Sequence, residues 1–301
     1  METNDSWRTA LDVLIGVLLA LATAIVWGSR EILLRKAFEA TKPVHGLFAT
    51  VAATFVISLI AAFFCESALW YQLTLGDLVL WTTIGVLHFP VAMTLYYLGI
   101  GSVGASRTSV ISNVSVIVTP LLGMALLGEP STLTVTAGVF VAGAGIFAVS
   151  ASDVDSDEWR WQKGIAYALL AGLMWSVTNL LTRFGFAEHR LPMTALAIVS
   201  GVPLLPIFLY LMSKDMGAGM FSDMRRSRQL VSGCFLSALG QVTLFAALSF
   251  APTIIVVPAY NLKSLVTVFL AYAIIPKSER VNMRVILGAI LAIGGIVLIN
   301  L

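Results

Sequence analysis

Apolar residues in this chain come in long runs separated by short polar breaks, not in the strict alternation of a half-buried strand. A helix rises about 1.5 Å per residue, so roughly 20 apolar residues match a hydrocarbon layer near 30 Å thick. On that scale the runs predict ten membrane-crossing helices: 11–36, 44–64, 77–100, 104–127, 131–150, 162–185, 192–212, 228–249, 252–275 and 282–301. The breaks carry turn chemistry, as in "TKP", "ESALWYQLTLGD", "GEPST", "MSKDMGAGMFSDMRRSRQ" and "PKSERVN". Pro90, Pro120, Pro203 and Pro206 fall inside runs. Membrane helices tolerate this where neighbours satisfy the freed backbone groups.

The pattern also repeats. Shifted by 148 positions, "IGVLLALATAIVWGSREILLRKAF" (15–38) meets "KGIAYALLAGLMWSVTNLLTRFGF" (163–186), with identities that include Trp27/Trp175 and Arg35/Arg183. Later in each half a shift of 150 pairs Glu129 with Glu279, Gly138 with Gly288 and Gly145 with Gly295. The chain therefore reads as a first five-helix repeat over 11–150, an acidic linker over 151–163 and a second five-helix repeat over 164–301. Five crossings per half is odd, so the second half lies upside down relative to the first, as in many secondary transporters. The expected fold is an all-α membrane protein, with ten transmembrane helices in two inverted five-helix repeats around a central cavity.

Composition agrees: 58% of the 301 residues are hydrophobic and only 11% charged, and mean hydropathy is +0.94. A soluble domain carries about 25% charged residues. The net charge of +2 and the lack of a basic tail give no reason to expect nucleic acid. Cys65 and Cys234, with His45, His88 and His189 far apart, match no metal-ligand or catalytic spacing. Neither an enzyme, a cofactor nor a metal is expected. The polar start "METNDSWRTALD" lacks the basic region of a cleavable signal, so the first run is expected to stay as an anchor. A prokaryotic inner membrane is the simplest host. Of the eighteen Lys and Arg, thirteen fall on the side joining the first and second spans, among them Arg35, Lys36, Arg225, Arg226 and Arg228. Arg8, Arg183 and Arg190 fall on the other. This bias puts the richer side in the cytoplasm and both termini outside.

Arg30 and Lys263 lie within spans. A central Lys costs roughly 2.5–3.5 kcal/mol on insertion scales, so it should face a partner, a cavity or the bundle interior. Lys263 shares a helical face with Tyr260, Ser264 and Thr267, and the repeat aligns it with Asn113. Trp27, Arg30 and Glu31 share a face in the first span, matched by Trp175, Thr178 and Asn179 in the sixth. His88 lies mid-span in the third, and Gln241 in the eighth. These groups are expected to converge near the midplane, Lys263, Tyr260, Trp27, Arg30, Asn113, Trp175, Asn179 and Gln241 on a substrate and Glu31 and His88 in coupling. Plainer roles stand beside these: a structural Lys263–Glu31 ion pair, packing for the tryptophans and His88, and interhelical hydrogen bonds for the amides. Glu129 and Glu279 read as structural turn residues.

"ATAIVWGSREILLRKAF" and "NVSVIVTPLLGMALLGEPSTLTVTAGVFVAGAGIFAV", with the looser second ending "NLKSLVTVFLAYAIIPKSERVNMRVILGAILAIGGIVLI", resemble the EamA-type repeats of the drug/metabolite transporter superfamily over nearly the whole chain. The resemblance implies a secondary transporter working by alternating access on small metabolites. Export of amino acids or related compounds is the leading expectation, with a proton or counter-substrate as coupling partner. The family commonly has cytoplasmic termini, against the charge bias here. "AYNLKSL", which adds Asn261 to the candidates, is similar to a pattern in branches that carry sugar phosphates and nucleotide sugars. An antiporter of such compounds is the alternative.

Overall fold

The structure, a computed structural model, describes residues 2–127, 133–150, 158–188, 190–214, 216–251, 253–274 and 283–299. Glu129, Glu279 and His189 lie outside them, as do residues 151–157 of the acidic linker. The described residues are helical, with no strand among them. In chain order the helices are α1 (Glu2–Ala37), α2 (Pro43–Glu66), α3 (Leu75–Val86), a π-helical segment (Leu87–Met93), α4 (Thr94–Val103), α5 (Ala105–Ser112) and α6 (Val114–Leu127). There follow α7 (Leu133–Ser150), α8 (Glu158–Glu188), α9 (Pro192–Ser213), α10 (Gly217–Arg226), α11 (Arg228–Phe250), α12 (Thr253–Asn261), α13 (Lys263–Ile274) and α14 (Met283–Ile299).

Local chemistry explains several of the ends. α2 starts on Pro43, whose missing N–H would be unpaired in a first turn anyway. Thr74 and Asp77 cap the start of α3 reciprocally, the Asp77 carboxylate accepting from Thr74 N at 2.8 Å. α9 is capped from another helix: the buried Glu66 carboxylate accepts from Met193 N at 3.0 Å and from Thr194 N at 2.8 Å. Gly104, at φ 90°, turns the chain sharply from α4 into α5. Pro90 cannot continue an ordinary α-turn, and the helix widens to π geometry around it.

Among the described residues six stretches are long and apolar enough to cross a membrane: Leu11–Ala37, Pro43–Gln72, Leu75–Val103, Trp161–Phe186, Pro192–Ser213 and Arg228–Phe250. The chain is an integral, multi-pass membrane protein. Aromatic residues such as Phe64, Phe140, Phe184 and Phe269 face outward, as a lipid-facing surface permits. Two runs expected to be single helices are pairs. The fourth is interrupted at Asn113 and the ninth at Leu262. Both interruptions are tight turns, with Val116 N donating to Asn113 O at 2.8 Å and Leu265 N to Leu262 O at 3.0 Å. The stretch read as a break after 212 contains a further helix, α10, and α8 begins at Glu158, inside the expected linker.

Packing joins the two parts of the chain. α1 packs on α11, α12 and α13, while α8 packs on α4, α5 and α6. α2 packs on α9, and α7 on α14. Exchanging each helix for its sequence-repeat counterpart leaves this scheme unchanged. Two close approaches depend on missing Cβ atoms. One built on Gly28 would lie 2.9 Å from Lys263 O, and one on Gly172 would lie 2.4 Å from Ser112 O. α1 and α8 can thus rest directly on the interrupted helices.

Candidate functional site

The interruptions deliver polar side chains to the inside of the bundle, where Arg30, Glu31 and Lys263 are each essentially unexposed. Glu31 on α1 is at the centre. One carboxylate oxygen accepts the hydroxyl proton of Tyr96 from α4, and the other lies 2.5 Å from Thr267 Oγ1 of α13. Lys263 Nζ stands 4.0 Å from Glu31 Oε1. That is an ion pair longer than a direct hydrogen bond.

The Lys263 ammonium is ringed by aromatic faces, 4.7 Å from the Trp175 centroid, 5.1 Å from Tyr96 and 5.3 Å from Trp27. Such rings attract a cation through their quadrupoles. Arg30 shares one of these rings, its guanidinium lying 4.8 Å from the Trp27 centroid, and donates through Nη1 to Ser237 of α11. Ser237 Oγ is 3.3 Å from the Tyr97 hydroxyl, itself 2.8 Å from Thr50 Oγ1.

The remaining candidates extend this cluster. Tyr260 meets Trp27 edge-on at 5.5 Å, and its hydroxyl accepts from Asn179 at 2.9 Å. The His88 ring lies 6.2 Å from that of Trp175, tilted by 39°. Its Nδ1 is 3.4 Å from Thr178 Oγ1, and its Nε2 is 2.8 Å from the Gln241 amide nitrogen. Asn113 accepts from Ser264 at 3.2 Å, beside Lys263. Asn261 is turned differently, its amide donating to Val257 O of its own helix at 2.8 Å.

Several buried polar atoms here have no partner among the described residues: Nε and Nη2 of Arg30, Nε1 of Trp175, Nδ2 of Asn113 and Oε1 of Gln241. Four of these five are donors. Unanswered buried donors are costly, which leaves the cluster suited to a ligand rich in acceptors. Among the described residues no group of three or more His, Cys, Asp or Glu is placed to hold a metal ion.

The EamA-like transporter family model matches twice, over residues 14–151 and 162–301. The chain belongs to the EamA-like transporter family. No curated protein matches the sequence. Among solved structures, one titled only "Crystal structure of protein" is similar, with a TM-score of 0.64 at 14% identity over 94% of this chain and 95% of that one. That likeness extends the shared fold across almost the whole EamA-like chain. It carries nothing about cargo.

Sequence reasoning passed over Tyr96 and Thr267 as ligands of Glu31, and Tyr97 as part of the Arg30 network. An ordinary hydroxyl on an apolar helix gives no warning. The available signal was the pairing of Glu31 with spaced hydroxyls on other spans, since a carboxylate buried in lipid requires donors.

Proposed function

We propose that this EamA-like protein is a secondary transporter of small amphipathic metabolites that carry a carboxylate, with amino acids and their close relatives as the leading cargo. One observation carries the reading: the wholly buried Arg30, Glu31 and Lys263 cluster holds two cations against one carboxylate and is surrounded by unanswered donors. A zwitterion fits it. The cargo carboxylate takes the free N–H groups of Arg30 and the Lys263 ammonium in charge-assisted hydrogen bonds. Its ammonium goes to Glu31 and the ring faces of Trp27, Tyr96 and Trp175, while its apolar part packs on the same rings. The loose Lys263–Glu31 pair opens to admit it.

Alternating access then follows from two inverted five-helix halves, 11–150 and 164–301, giving ten spans in all. The exchange pattern of helix packing supports this arrangement, and the helices interrupted at Asn113 and Leu262 supply the movable parts. Glu31 and His88 are the groups that bind the coupling proton. The Lys/Arg bias supports termini outside, in a prokaryotic inner membrane.

The test is uptake of labelled amino acids into proteoliposomes with an imposed pH gradient. Gradient-driven transport that falls at least tenfold in Arg30→Gln and in Lys263→Ala, in protein of unchanged folding, is expected. Transport that runs only with a phosphorylated counter-substrate loaded inside would overturn the reading in favour of a sugar-phosphate antiporter.

A further inference from the structure

Helix α10 has a face that neither the bundle nor transport chemistry explains. It is seated firmly on one side: Met220 is buried in the core, Met216 and Met224 pack against it, and Asp223 Oδ2 lies 2.7 Å from Nδ1 of the buried His45 at the start of α2. The other side carries Ala218, Phe221, Ser222 and Arg225 at helical spacing, with Arg226 one turn after Ser222. These five residues line a cavity of about 320 Å³. Phe221 is 56% exposed, and neither guanidinium has a hydrogen-bond or ion-pair partner among the described residues.

Position adds to this. α10 joins the end of α9 to the start of α11, so it lies where two membrane-crossing helices leave the bilayer on the same side. Leu205, Leu209 and Tyr210, in the last turns of α9, are exposed as lipid-facing residues are. Arg228 is exposed two residues past α10, and the pattern of spans in the sequence assigns most of the Lys and Arg of the chain to the same side. A short amphipathic helix with an aromatic residue and arginines on its free face is suited to the level of the headgroups.

We infer that the free face of α10 is a binding site for an anionic phospholipid, the headgroup phosphate held between Arg225 and Arg226 with Ser222 donating, and the upper acyl chain along Phe221 and Ala218. Paired arginines suit a phosphodiester because each can donate two parallel N–H groups. The ring of Phe221 takes an apolar group that a soluble anion lacks. The Asp223–His45 contact and the buried Met220 fix the helix in place, so the site is formed before the lipid arrives.

The probe is phosphatidylglycerol, compared with phosphatidylcholine, with native mass spectrometry of the full chain released from detergent micelles counting the lipids retained. The chain is expected to retain phosphatidylglycerol preferentially. Arg225→Gln/Arg226→Gln should weaken that retention by roughly thirtyfold, each charge contributing about a factor of five. All the substituted groups are exposed, and an unchanged melting temperature in phosphatidylcholine would show that the variant is folded. Phe221→Ser should weaken retention while leaving the headgroup preference intact. Equal retention of both lipids, or full retention by the folded double variant, would overturn the proposal. So would displacement of phosphatidylglycerol by millimolar inorganic phosphate, which would mark the face as a site for soluble anions.

Discussion

A single buried carboxylate organises the cluster, and its partners act on it differently. Tyr96 and Thr267 hold Glu31 by hydrogen bonds, whereas Lys263 faces it at 4.0 Å without a close one. Removing the lysine leaves a buried carboxylate uncompensated, which costs about 3–5 kcal/mol where such pairs are broken. Lys263→Met should therefore lower the melting temperature. Adding Glu31→Gln should restore most of it, because the unpaired carboxylate is gone, Arg30 keeps its bond to Ser237, and the amide can accept from Tyr96 through its oxygen and donate to Thr267 through its nitrogen. Transport should stay lost in that double variant if Lys263 holds cargo; recovery of transport along with stability would reduce the pair to a structural one. Tyr96→Phe removes a hydrogen bond to a charged group and should cost about 1.5–3 kcal/mol in stability, measurable by denaturant titration.

At the scale of elements, the interrupted helices rest on glycines. Gly172→Ala places a methyl 2.4 Å from Ser112 O, a backbone atom that cannot step aside. It should cost about 1–3 kcal/mol and slow transport by forcing α8 off the turn at Asn113. Gly294→Ala, inside α14 with nothing within 4 Å of the added methyl, is the control and should leave stability unchanged or raise it by up to about 1 kcal/mol. This scale also separates what could be read from the sequence. Long apolar runs predicted α1, α2, α9 and α11 because length against bilayer thickness is a strong constraint. The turns at Asn113 and Leu262 were not legible, since "VISNVSVIV" and "AYNLKSLV" contain neither Gly nor Pro and most of their polar residues read as one face of a continuous helix. α10 was hidden by its Gly, Ser and Asp, which suggest turns; the i, i+4 spacing of Met220 and Met224, with Ala218, Ser222 and Arg225 on the far face, was the signal for a helix. Arg30, Glu31 and Lys263 stood out because charge in lipid is rare. Asn261, a candidate only through its resemblance to a family pattern, sits on the helix before the turn with its amide donating to Val257 O.

For the whole molecule, packing of α1 with α11, α12 and α13, mirrored by α8 with α4, α5 and α6, places the charged cluster where the two parts of the chain meet. Any ligand bound there is sensed by both. Orientation is testable on the same scale. The exposed Cys65 lies at the end of α2 remote from Pro43 and from the basic end of the bundle. The charge bias predicts that a membrane-impermeant maleimide labels Cys65 in intact cells, and that Glu39→Cys in a Cys65→Ser background is labelled only after lysis; the opposite result would reverse the topology. The central claim, that the buried donors receive a carboxylate, is tested most directly by the thermal shift of the purified protein with amphipathic amino acids and their carboxamides at equal concentration. A ligand that binds only the native state raises the melting temperature by mass action. The account predicts a rise with at least one acid, none with its amide, and none with either in Arg30→Gln. An amide that stabilises as well as the acid, or an acid effect undiminished in Arg30→Gln, would contradict it.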